Sequence, residues 1–329
     1  MSRTRAWQAY LAAGAVLAAV FAIGGPLKSN GILMNLIGLS PVLAILAGIK
    51  LHKPASRGPW LFFAGGLTLF WLGDLYTIGY PRLFDREVPF PSIGDGAYVG
   101  VYPVLMAGLL LLVRRRNPER DRAGLIDSVI ITLGLSLISW AVLIAPYLHD
   151  DSLDTLQKLV SIAYPTGDVL LLAAAVRLAV DAGRREPAFH LMVSSIVALL
   201  VTDFVYTLTL LHGTYDNQVW LDLGWISFYL LWGAAALHPS MARLEQPAGG
   251  AAPRLSRVRL ALLTAASLVA PAVLFFRDAI REDVDMLVVV LAAMALFCLV
   301  VSRMAGLVRQ QERATRRERV LSAAGADLV

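Results

Sequence analysis

The sequence predicts an all-α fold: a polytopic transmembrane helical bundle of about ten spans, with internal helical-hairpin repeats and a cytoplasmic C-terminal helix. Three observations predict it. The 329 residues are 57% hydrophobic and only 16% charged, against roughly 25% charged in soluble domains. Apolar, nearly charge-free runs long enough to cross about 30 Å of hydrocarbon recur along the chain. The basic residues fall in alternate loops, as a positive-inside topology requires. Helices are the expected element because lipid leaves no partner for the backbone groups of an open sheet.

The expected spans are 7–24, 31–49, 59–79, 96–113, 124–146, 159–176, 187–211, 218–237, 260–276 and 286–302. Gly24, Gly25 and Pro26 stop the first, and Pro81 follows the third. The start of the chain, with Arg3 and Arg5 before an apolar stretch, also has the outline of a signal peptide. No A-x-A cleavage site follows, and the topology closes when the segment is kept as a span. With both ends inside, only Lys28, Arg82, Arg86, Lys158, Arg277 and Arg281 fall on the outer side. The other basic residues face inward, toward anionic headgroups. This explains the net charge of +5 without nucleic acid. The expected location is the plasma (inner) membrane of a bacterium.

The segmentation expected is 1–58 as two N-terminal spans, 59–241 as a six-span core, 242–258 as a cytoplasmic linker, 259–303 as a two-span hairpin and 304–329 as a cytoplasmic signalling helix. Pro247, Gly249, Gly250 and Pro253 give the linker its flexible composition. Beyond the last span, Leu307, Ala314, Leu321 and Leu328 recur every seven residues between arginines. Gln311 and Glu318 occupy the second seam position, which makes a coiled-coil homodimer here marginal. A solvated single helix is the alternative.

The core carries a repeat. Asp95, Tyr98 and Tyr102 in the fourth span match Asp222, Trp225 and Tyr229 in the eighth. Asp74 and Tyr76 match Asp203 and Tyr206 in the spans before them. Tyr164-Pro165 echoes Tyr102-Pro103, with Asp168 one turn on, so spans five and six read as a divergent middle copy.

An aspartate in hydrocarbon costs several kcal/mol unless it faces the bundle interior, a partner or water. No lysine or arginine is expected at the depth of these five acids. They must therefore be protonated, bound by tyrosine and serine donors, or neutralised by a cation. The functional reading is an outward pocket lined by Asp74, Tyr76, Asp95, Tyr98, Tyr102, Tyr164, Asp168, Asp203, Tyr206, Asp222, Trp225 and Tyr229, which takes a small polar or cationic molecule. The alternative is structural: interhelical hydrogen bonding, with Asp95 and Asp222 as helix N-caps.

Other chemistry finds no support. The lone Cys298 excludes an intrachain disulfide and a cysteine zinc site. The five histidines sit at span boundaries rather than facing one another, so haem is not expected. HExxH, GxSxG, Walker A and dinucleotide fingerprints are missing from the sequence. No cofactor is expected. A transporter and a plain membrane anchor remain as alternative readings.

The stretches GDLYTIGY, PFPSIGDGAYVGVYPVLMAGLLLLVRRR, DRAGLIDSVIITLGLSLISWAVLIAP, IAYPTGDVLLLAAAVRL and LDLGWISFYLLWGAAALHPSM resemble the membrane-embedded N-terminal region of actinobacterial signalling proteins. In those proteins the region precedes GAF, PAS, GGDEF and EAL domains. The resemblance implies a sensory input for cyclic di-GMP signalling. The closing QQERATRRERVLSAAGADLV resembles the linker into the output domains. No such domain is read in this sequence, so no catalytic residue is expected.

Overall fold

Apolar segments in lipid must satisfy their backbone groups internally, and helix does this residue by residue. The computed structural model describes residues 5–24, 31–116, 122–180, 185–216, 218–246, 257–280 and 285–326. The helices are α1 (Ala6–Ile23), α2 (Ile32–His52), α3 (Gly58–Phe84), α4 (Ile93–Arg116), α5 (Arg122–Leu148), α6 (Thr155–Val180), α7 (Pro187–Leu211), α8 (Val219–Leu237), α9 (Arg257–Ile280) and α10 (Met286–Ala326). Among the described residues there is no strand. Nine of these helices are long and apolar enough to cross a membrane. In the remaining one, α9, the apolar stretch covers only Leu260–Phe275.

The chain forms two compact units, Met1–Arg120 with Ser139–Arg254, and Asp121–Ile138 with Leu255–Val329. This division differs from the one the sequence suggested. The first two helices belong with the core, and α5 is shared between the units. Just past the crossing point, Trp140–Ile144 winds as a π turn, with the Ala145 N–H donating to the Trp140 carbonyl. Pro146 gives the reason. It offers no N–H and crowds the carbonyl one turn back, and the wider turn relieves both.

In the larger unit α8 is central and packs against α1, α2 and α7. Its Phe228, Tyr229 and Trp232 are fully buried. Lipid tails are as apolar as leucine, so association in a membrane rests on close packing rather than on hydrophobic gain. Gly48 of α2 accordingly lies against the Ala236 backbone carbonyl of α8, where any Cβ would overlap it. Aromatic edges fill the space between α3 and α8: Phe63 meets Trp60 at 5.7 Å and Trp232 at 5.2 Å.

One end of this unit is closed by polar contacts. His52 Nε2 donates to the Leu237 carbonyl at 2.8 Å. Buried Arg116 stands 5.0 Å from the Phe189 ring centroid. A 3-10 turn, Pro239–Arg243, follows α8, and its Met241 and the following Leu244 are fully buried. The linker expected from residue 242 is thus packed as far as Glu245, because these apolar side chains complete the core. Residues 247–256 lie outside the described residues.

The smaller unit packs the first part of α5 with α9 and α10 around Ile130, Leu137, Ala266, Val289 and Leu296. Gly134 touches the Ala266 backbone, which lets α5 and α9 approach closely. Arg303 Nε donates to Asp127 Oδ1 at 2.6 Å, with both groups buried. α10 has 41 residues, about 60 Å at 1.5 Å per residue. That is twice the hydrocarbon thickness, so the helix runs well past its span. Leu307 is part-buried; the side chains of Ala314, Leu321 and Leu328 lie outside the described residues.

Candidate site: a carboxylate network between helices

The polar residues of α3, α4, α6, α7 and α8 meet one another inside the larger unit. Asp74 of α3 is buried and accepts two hydrogen bonds. Tyr98 Oη of α4 donates to its Oδ1 at 2.8 Å, and Tyr229 Oη of α8 donates to its Oδ2 at 2.7 Å. Thr77 Oγ1 lies 3.2 Å from Tyr98 Oη and supports it. Phe70 packs edge-on against both tyrosines, at 5.3 and 5.4 Å.

Asp203 of α7 accepts from Trp225 Nε1 of α8 at 2.7 Å. Tyr206 packs on Trp225 at 5.4 Å and on Tyr215 at 5.1 Å. Asp95 of α4 accepts from Tyr164 Oη of α6 at 2.7 Å. Tyr102 of α4 faces Asp168 of α6, and Asp168 in turn interacts with Asp203. The Asp168 Oδ1 atom is sealed from solvent and has no hydrogen-bond partner among the described residues.

Two features of the sequence place these groups. Period 3.6 puts an acid and an aromatic three or seven residues later on one helix face. Glycines make room for the rings. Gly73, just before Asp74, faces the Tyr98 ring, which a Cβ would meet at 2.6 Å. Gly94, before Asp95, faces Tyr76, which a Cβ would meet at 2.9 Å. Gly167, before Asp168, faces Tyr102 so closely that a Cβ would overlap it. Each Gly-Asp pair therefore seats a tyrosine from another helix beside a carboxylate. The repeated dipeptide was visible in the sequence, but its role depends on contacts between helices.

The two matching hairpins use matching positions. Tyr98 donates to Asp74, and Trp225, its counterpart, donates to Asp203. The residues seven past the opening acids reach across instead, Tyr229 to Asp74 and Tyr102 to Asp168.

The N-cap reading of Asp95 and Asp222 needs correction. Ser92 caps α4, and Asp95 returns the contact from the first turn: the Ser92 backbone N and Oγ each donate to its Oδ2 at 2.7 Å. This is a capping box, and it leaves Oδ1 for Tyr164. Asp222 lies a turn inside α8, whose flanking residue is Gln218 with no side-chain cap. Asp222 acts electrostatically on Asp74 and Tyr215.

A cleft of about 630 Å³ opens beside Asp95, between the end of α3 and the starts of α4 and α6. Pro89, Pro91, Val99, Leu156 and Val160 wall it, with Tyr76, Ser92 and Asp95 as its polar groups. Of the twelve candidate residues, Tyr76 and Asp95 line this cleft. Of the others, Asp74, Tyr98, Tyr102, Tyr164, Asp168, Asp203, Trp225 and Tyr229 meet partners across helix interfaces.

Among the described residues no lysine, arginine or histidine pairs with Asp74, Asp95, Asp168 or Asp203. Among them, too, no three His, Cys, Asp or Glu side chains cluster as metal ligands. A further acid, Asp127 in the smaller unit, is handled differently: Arg303 holds it. Asp127 was missed because Arg303 lies far along the chain, at the edge of its span. At the closed end, His238 Nδ1 accepts from the Ser240 N–H at 3.1 Å, and the Ser240 Oγ accepts from the Ala188 N–H at 3.0 Å. Burial, with His52 and Arg243 nearby, holds His238 below the ordinary histidine range.

Fold and site together define a multi-pass α-helical membrane protein with a carboxylate network at its helix interfaces. No family model matches the chain, and no curated protein and no solved structure matches it.

Proposed function

We propose that the chain is the membrane-embedded input part of a signalling protein, in a bacterial plasma membrane with both ends in the cytoplasm. One observation carries the reading. Four carboxylates at helix interfaces are met by tyrosine or tryptophan groups from other helices and by no basic residue among those described, and one of them borders a cleft. A purely structural network has no need of unbalanced acids, since neutral hydrogen bonds join helices at lower cost. Binding of a small polar or cationic ligand neutralises this charge and favours one packing of α3, α4, α6, α7 and α8 over another. Such a shift requires that the ligand bind the two packings with different affinity. The long α10 carries the change onward, paired with α10 of a second copy. Resemblance to the sensor regions of cyclic di-GMP proteins supports this direction of transmission.

The test is a fusion of the full chain to a diguanylate cyclase reporter. Output is measured while external pH, sodium and tetramethylammonium are varied. The account expects a response that Asp168→Asn and Asp203→Asn abolish, with membrane insertion retained. An unchanged response in both variants contradicts it. Solute uptake by liposomes holding the chain alone assigns it to transport instead.

A further inference from the structure

We propose that Asp168 and Asp203 form a site for one small positive charge, a proton or a sodium ion. The inference rests on the input-module reading and names the ligand class of its site. Acids at the helix interfaces are handled in three ways. Asp127 has an arginine at 2.6 Å. Asp74 has a tyrosine donor on each oxygen. Asp168 and Asp203 have neither. Trp225 serves one oxygen of Asp203, Tyr102 faces Asp168, and Asp168 Oδ1 is sealed with nothing to accept from. Most buried side-chain polar atoms find a partner; among those here that do not, Asp168 Oδ1 is a carboxylate oxygen beside a second carboxylate, and this marks a place for a missing charge. Two carboxylates in a low dielectric do not both stay charged with nothing positive beside them.

The groups facing the pair from each neighbouring helix add no positive charge. From α4 this is Tyr102. Within α6 and α7 they are Tyr164 and Tyr206. From α8 they are Trp225 and Tyr229.

Size and ligand count narrow the occupant. Calcium and magnesium take six or more oxygens and zinc at least three protein ligands, and among the described residues no three acidic or other metal-binding side chains converge. Beside Asp168 itself, Gly167 packs directly on the Tyr102 ring, so an organic cation in the cleft finds no space at that contact. A proton or a single alkali ion is what fits. The route in starts at the cleft, where Asp95 accepts from Tyr164, and Tyr164 stands one turn before Asp168 on the same face of α6.

Infrared difference spectroscopy on the full chain in nanodiscs tests this, with pH and sodium varied and choline holding ionic strength. The expected result is a protonated-carboxyl band that disappears on alkalinisation within roughly pH 5 to 9. A band that sodium also displaces identifies sodium as the competing occupant; a band that answers to pH alone identifies the proton. Either supports the site. The band is absent from Asp168→Asn and from Asp203→Asn, and it survives Asp127→Asn. Trp225→Phe keeps both acids and is expected to move the midpoint by about one pH unit. No titrating band in the wild type, a band that persists in both asparagine variants, or an unmoved midpoint in Trp225→Phe overturns the proposal. Failure here leaves the reporter fusion free to respond to another ligand. A titrating band with an indifferent reporter removes the input-module reading and leaves the charge site standing.

Discussion

Asp74 shows what a buried acid requires. Its two oxygens take donors from two different helices, so one side chain ties α3 to both α4 and α8. Tyr98→Phe and Tyr229→Phe each remove one donor. Each is expected to cost about 1 kcal/mol, since membrane hydrogen bonds are worth little individually. The double variant is expected to cost more than the sum, because Asp74 then has no partner. Thermal unfolding of the four proteins in detergent checks the cycle, and simple additivity argues against a shared acceptor. His238 gives a pH prediction outside the spans. Its Nδ1 must stay unprotonated to accept from Ser240, and its folded-state value lies below the ordinary one. The unfolded chain therefore binds more protons, and this contribution to stability is full above about pH 6.5. It is lost as pH falls through the lower, folded-state value. His238→Gln is expected to flatten that part of the stability profile; an unchanged profile denies the capping role. The sequence already showed which acids and aromatics share a helix face, since that follows from spacing. It did not show which tyrosine serves which acid, because Tyr229 and Asp74 are joined only by the packing of helices.

Among elements, α5 and α10 of the smaller unit are joined by the buried pair of Asp127 and Arg303. Breaking such a pair leaves a charge stranded, at about 3–5 kcal/mol, whereas replacing both partners with apolar groups is often near neutral. Asp127→Asn or Arg303→Met alone is thus expected to loosen α5, α9 and α10. Asp127→Leu combined with Arg303→Met is expected to recover most of the loss. Protease sensitivity of the α9–α10 region reads this directly, and equal sensitivity in the single and double variants would count against the pair. Glycine contacts make a second test. Gly167→Ala forces the Tyr102 ring from its place, and the account expects it to perturb the network more than Gly79→Ala, where nothing lies near. Element positions were readable in advance because apolar run length fixes them. The division of α5 between units was not. It depends on the helices that each half of α5 meets, and no local pattern marks those. The start of the linker was not legible for a related reason: Pro and Gly residues dominate its composition, while its Leu244 packs into the core.

For the whole molecule, the all-α bundle and its multi-pass character follow from hydropathy. Orientation rests on charge placement alone. Replacing Cys298, then placing one cysteine at Lys53→Cys or at Asp151→Cys, tests it with an impermeant thiol reagent on intact cells. Only the Asp151 position is expected to react from outside; labelling at Lys53 alone inverts the topology. Carboxylates and aromatic donors of α3, α4, α6, α7 and α8 meet at the interfaces of these helices, and the proposed function requires that they shift packing together. Hydrogen–deuterium exchange of the full chain in nanodiscs, compared between wild type and Asp168→Asn at neutral and alkaline pH, tests it most directly. Alkaline pH is expected to raise exchange in α3, α4, α6, α7 and α8 of the wild type together, and the variant to show no such rise. Exchange that changes in one helix alone, or equally in both proteins, would contradict it.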